Sequence, residues 1–107
     1  MTLETVTIDE IVNRIRKVAQ PESIIMFGSA ATGTMQADSD IDLLIVMQSC
    51  TDRRKLAISI RKALHGLGFA FDVIVMESVR FEESKNVVGG ISYPAHRYGK
   101  VIYENSR

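Results

Sequence analysis

Asp40 and Asp42 stand on either side of Ile41 at the head of an apolar run, SDIDLLIV, and a third acid, Asp72, interrupts another, FAFDVIV. Carboxylates set two apart on an extended segment share a face. Leaving both ionised and partly buried costs on the order of several kcal/mol unless a cation lies between them. If the two apolar runs are neighbouring strands, Asp72 joins the same acidic face. An oxygen-only donor set with room for water and phosphate suits Mg²⁺ or Mn²⁺. Two such ions ~4 Å apart would activate an attacking hydroxyl and stabilise a departing pyrophosphate. Each acid also has an ordinary reading. Acids commonly cap strand starts, and Asp38 with Asp40 repeats the same spacing.

Upstream, Gly28 and Ser29 end the apolar run SIIMF. Glycine reaches backbone angles that other residues resist and lets a ligand approach closely. A helical turn after Ser29 would offer amides to phosphate oxygens. Ala30, Ala31, Thr32 and Gly33 keep the corner small. A lone Gly-Ser is also an ordinary turn. The stretch is neither a Walker A loop nor a dinucleotide-binding fingerprint, because no G-K-[ST] and no G-x-G-x-x-G occurs.

These residues need a frame. The spacing of Ile8, Ile11, Val12, Ile15 and Val18 predicts a helix, with Thr7 as N-cap, Glu10 completing a capping box, and Pro21 as its stop. SIIMFG reads as a strand, and SAATGTMQADS as a loop with a short helical turn. DIDLLIVMQ, apolar on both faces, reads as a central strand that includes Asp40. Residues 49–68 read as a helix with an apolar stripe of Leu56, Ile60, Ala63, Leu64 and Leu67, stopped by Gly66 and Gly68. FAFDVIVM is a third strand, and KVIYE a short closing one. Between them lies a helical region expected to be broken by Gly89, Gly90 and Pro94. The pattern is α/β: a small mixed sheet with helices packed on it.

The chain has 107 residues, 46% hydrophobic and 24% charged, which predicts one domain spanning 1–107. Its net charge is zero, so no global field draws it to nucleic acid or membrane. One cysteine, Cys50, excludes an intrachain disulfide and suits a reducing compartment. The opening MTLETVTIDEIV carries early acids and does not read as a signal peptide, and no run nears a membrane span, so the expected location is cytoplasmic. His65 and His96 lack metal-ligand spacing and read as surface or packing residues. Arg53, Arg54, Lys55, Arg61 and Lys62 form a basic helix face that would be solvated, contact a partner or steer a nucleotide.

Taken together, Gly28-Ser29, a short loop, Ser39-Asp40-Ile41-Asp42-Leu43 and the distal Asp72 resemble the DNA polymerase beta nucleotidyltransferase superfamily. The resemblance runs from about Ile8 to Glu104, and SDIDLLIV looks most like the minimal nucleotidyltransferase branch. It implies a polymerase beta palm-like fold. It implies that Asp40 and Asp42 hold the metal ions and the triphosphate of ATP. Asp72 would complete the second-metal site and act on the acceptor hydroxyl. Gly28 and Ser29 would grip the β- and γ-phosphates, and Ser39 belongs to the family's strand start on the nucleotide side. Many relatives carry Arg before the second loop glycine, where this chain has Thr32.

The chain has no room for an acceptor-binding domain, so a protein acceptor in trans is expected. The resemblance implies a specific one: a HEPN-type toxin, neutralised when its minimal nucleotidyltransferase antitoxin adds AMP to a tyrosine (AMPylation). Two other readings stand beside it. One is a non-catalytic, nucleotide-sensing module that masks its partner, favoured by Thr32. The other is a stand-alone transferase for a small molecule or an RNA end, which the zero net charge disfavours for RNA. Tyr93, Tyr98 and Tyr103 are possible self-modification targets, with nothing to single one out.

Overall fold

The computed structural model describes residues 3–36 and 38–105. The elements run α1 (Thr5–Val18), β1 (Ser23–Phe27), α2 (Ser29–Thr32), β2 (Ile41–Met47), α3 (Arg53–Ala63), β3 (Phe71–Glu77), α4 (Ser78–Ser84), α5 (Ser92–Tyr98) and β4 (Lys100–Glu104). The strands form a mixed sheet ordered β3-β2-β1-β4. β1 pairs antiparallel with β2 and with β4, whereas β2 and β3 are parallel. A parallel pair needs a crossover, and α3 supplies it. The sheet is therefore the α/β arrangement that the sequence pattern implies.

Side-chain alternation divides the core into two layers. Ile41, Leu43 and Ile45 of β2 join Ile24, Met26, Val73 and Val75 beneath α1 and α3, where Ile11, Ile15, Ala57 and Ile60 close the layer. Leu44 and Val46 point the other way, with Ile25, Phe27, Phe81 and Ala95, under α4 and α5. Asp42 and Asp72 follow the second alternation and sit at one end of that face. No helix among the described residues is long and apolar enough to cross a membrane.

Several element ends differ from the sequence expectation. Thr7 is not the cap of α1. The helix starts at Thr5 with Glu4 as N-cap and no side-chain capping bond, because the Ile8 amide continues the ladder back to the Glu4 carbonyl at 3.1 Å. Glu10 pairs instead with Arg14, at 3.0 Å. Val18, expected on the buried face, remains 45% exposed. α3 is shorter than 49–68: Asp52 caps it by accepting from the Lys55 amide at 3.0 Å, and Leu64 ends it before two left-handed glycines. Pro94 does not break the last helical region. It lies in the first turn of α5, where the missing amide proton has no intrahelical role; the break falls at residues 85–91.

Arg14 joins α1 to the end of α3. Its Nη1 donates to the His65 carbonyl at 2.8 Å and to the Ala63 carbonyl at 3.4 Å. A guanidinium thus satisfies carbonyls that a helix C-terminus leaves open. Arg14→Ala is expected to cost about 1.5 kcal/mol, the lower end for bonds to a charged group. Urea unfolding of both proteins checks this, and an unchanged midpoint would refute it.

Candidate active site

Gly28 follows β1 directly, at φ +69° and ψ −151°, a conformation open to glycine alone. Its carbonyl accepts from the Ala31 and Thr32 amides at 3.1 and 3.2 Å, closing the single turn of α2. Ala30 and Met35 anchor that turn in the core. The Thr32 hydroxyl bonds back to the Gly28 carbonyl at 3.3 Å and to Thr34 Oγ1 at 3.0 Å. Thr32 therefore braces the turn.

After α2 the chain returns through a loop held by Ser39. Its hydroxyl accepts from the Gln36 amide at 2.9 Å, and its own amide donates to the Gln36 carbonyl at 3.1 Å. Asp40 then precedes β2 rather than lying inside it, and is exposed. Asp42 is the second residue of the strand and half-buried. Phe27 opposes it on β1, and Asp72 on β3. The parallel register thus sets Asp42 and Asp72 side by side, as the sequence reading required of neighbouring strands.

The Asp42 carboxyl is held above its ordinary value of 3.8, first by burial, then by the negative charges of Asp72 and Asp40. Asp72 and Asp40 thus both lie near enough to act on Asp42 at one end of the sheet. Folded Asp42 holds its proton more tightly than the unfolded chain does. Stability associated with it is therefore present at low pH and falls as pH rises from the ordinary carboxylate range through the raised folded value. Asp42→Asn removes that loss. The variant is expected to match the parent in acid and to exceed it at neutral pH by at most about 1 kcal/mol, allowing for solvent screening. Denaturation across this range, without divalent ions, tests it; a variant less stable at neutral pH would refute it.

The donor chemistry of this corner suits a divalent cation. The donor set is all oxygen, and its most buried member is destabilised as an anion. A Cβ on Gly28 would collide with Asp42 Oδ2, so the space beside that oxygen is kept by the lack of a side chain. Asp40, Asp42 and Asp72 are the residues that would hold an ion. Among the described residues no group of three or more acidic, histidine or cysteine side chains is placed to hold a metal ion by itself, so an ion here would take its remaining ligands from elsewhere.

One acid that the sequence reading passed over also has a defined role. Glu77 ends β3, and its Oε2 accepts from the Cys50 amide at 3.1 Å. It borders a concavity of about 600 Å³ with Cys50, Asp52 and Lys55. That hollow lies at the opposite end of β2 and β3 from Asp42. An acid closing a strand gives no sequence signal of such a bond.

Residues 8–93 match the family model of a nucleotidyltransferase domain. A comparison with curated proteins finds no match. Solved structures share the fold. A chain from a crystal structure of a toxin-antitoxin with AMP-PNP aligns at TM-score 0.67 and 22% identity, over 92% of this chain and 73% of that one. A chain from the tri-AMPylated Shewanella oneidensis HEPN toxin in complex with MNT antitoxin aligns at TM-score 0.60 and 20% identity, over 96% and 74%. A chain from the toxin-antitoxin MntA-HepT aligns at TM-score 0.61 and 18% identity, over 95% and 74%.

Proposed function

Because the chain belongs to the nucleotidyltransferase domain family, we propose that it transfers AMP from ATP to a tyrosine hydroxyl of a HEPN-type partner toxin in the cytoplasm, acting as the antitoxin. The observation that carries this reading is the side-by-side register of Asp42 and Asp72 next to Gly28. The fold shared with chains from toxin-antitoxin structures supports the choice of partner.

In the proposed reaction the acceptor oxygen bonds to the α-phosphorus of ATP. The bond from that phosphorus to the bridging oxygen breaks, and pyrophosphate leaves. Asp72, exposed at the strand start, takes the acceptor's proton or orients its hydroxyl. Asp40 and Asp42 would hold the metal ion and, through it, the triphosphate. Gly28 leaves room for the β- and γ-phosphates, and Ser29 offers its hydroxyl and amide to them. Ser39 fixes the loop that presents Asp40. A bound Mg²⁺ or Mn²⁺ supplies Lewis-acid polarisation and charge neutralisation. The protein contributes positioning and electrostatics, as in phosphoryl transfer generally.

Thr32 favours a second reading. Its hydroxyl is spent within the turn and brings no positive charge to a triphosphate. A module that masks its partner without catalysis would tolerate this. Intact-mass spectrometry separates the two. The partner, co-purified with this chain and incubated with ATP and Mg²⁺, is expected to gain at least one AMP, and not with Asp40→Ala/Asp42→Ala. A stable complex with no mass gain would replace the transferase with the masking module.

A further inference from the structure

The outer face of α3 is strongly basic, with Asp52 at its N-cap as the acid beside it. Its sequence, RRKLAISIRKA, contains five basic residues and no acid. The whole chain has 13 of each sign, so the remainder of the molecule is acidic. α1 and the C-terminal end of α4 each carry one ion pair, Glu10 with Arg14 and Glu82 with Lys85. Among the described residues no such pair involves an α3 side chain. The Asp52 carboxylate, nearest in sequence, accepts from the Lys55 backbone amide.

The bases are also arranged around something. Arg54, Ile58, Arg61 and Lys62 fall at i, i+4, i+7 and i+8, a single stripe along the helix, and His65 follows in the turn beyond its C-cap. Ile58 sits in its middle and is 38% exposed. A shallow hollow of about 430 Å³ opens on one side of it, bordered by Arg61, Lys62 and His65. Another, of about 380 Å³, opens toward the start of the helix, bordered by Arg54, Lys55, Ser59 and Lys62 and, at its edge, by the capping acid Asp52. The stripe lies over the sheet face opposite to Asp42 and Asp72, because Ala57 and Ile60 pack with Leu43 and Val73.

We propose that this stripe is a docking surface for an acidic amphipathic helix of a partner protein, which seats an apolar side chain beside Ile58 and carboxylates against Arg54, Arg61 and Lys62. An apolar centre with a charged rim is the anatomy of a protein interface. Complementary charge would give it orientation and a fast encounter. A nucleic-acid backbone gains nothing from Ile58, and the stripe offers no aromatic ring for a base to stack on. The inference does not depend on the nucleotidyl-transfer reading.

The test uses the whole chain and a synthetic helical peptide of about 14 residues, long enough to form a marginal helix alone. The peptide carries one central leucine, with glutamates three and four residues to either side. Titration at physiological salt, followed by amide NMR, is expected to shift residues 54–65. Ile58→Asp and, separately, Arg61→Glu/Lys62→Glu are each expected to weaken binding about tenfold or more, while Ile58→Leu keeps it. All these positions are exposed, and far-UV circular dichroism verifies that each variant folds. The proposal is overturned by peptide binding indifferent to Ile58, which is bare charge attraction. It is equally overturned by a short RNA duplex that competes at the stripe and ignores Ile58, by self-association that Ile58→Asp abolishes, or by no shift at α3.

Discussion

Asp42→Asn is expected to lower AMP transfer by about three orders of magnitude, the scale of several kcal/mol of transition-state charge stabilisation, and to leave the fold intact. Asparagine keeps the size of the side chain and one of its oxygens. It loses the charge that would bind a divalent ion, and with it the repulsion from Asp72 and Asp40. Activity and stability therefore move in opposite directions, which separates a catalytic loss from misfolding. Asp72→Asn is expected to resemble it in activity. The assay is transfer of labelled AMP to the co-purified partner, beside a thermal melt without divalent ions. Near-normal turnover by Asp42→Asn would remove the acid pair from the chemistry.

The second large effect is expected at Gly28. Gly28→Ala places a Cβ against Asp42 Oδ2 and forces alanine to a φ of +69°. The backbone strain alone costs about 1–3 kcal/mol. The collision must push Asp42 aside or open the turn of α2, so activity is expected to fall at least about 100-fold, as when a reacting group shifts by about 1 Å. Unlike Asp42→Asn, this variant loses activity and stability together. Shortening the obstructing side chain gives the control. Asp42→Ala in the Gly28→Ala background is expected to recover part of the lost stability, a non-additivity characteristic of residues in contact. If the two stability changes simply add, the steric link between turn and strand is refuted.

Much of the frame was legible because it rests on short-range patterning. The period of Ile8, Ile11, Val12 and Ile15 marked α1, and the unbroken apolar run of β2 marked a strand with two covered faces. Errors fell where local rules compete with packing. Thr7 fits a capping box, yet α1 starts earlier because the Ile8 amide reaches the Glu4 carbonyl. Pro94 resembles a breaker but lies where a first turn accepts it. The cap supplied by Arg14 across more than 45 residues was out of reach, since nothing in its own neighbourhood indicates it.

The sequence by itself determined the chemistry on offer: three carboxylates at strand heads, a glycine turn ahead of them, and a helix between the second and third strands. These follow from residue type and spacing, which act over a few residues. Only the tertiary structure decided that the offer converges. The crossover through α3 lays β3 parallel to β2 and opposes Asp72 to Asp42, and the left-handed turn at Gly28 meets the same carboxylate. A strand's register depends on its partner, and one residue of slip would send Asp72 to the other face of the sheet. That register buries Val73 and Val75 with Leu43 and Ile45 beneath α3, a contact between segments far apart in sequence that no local pattern encodes.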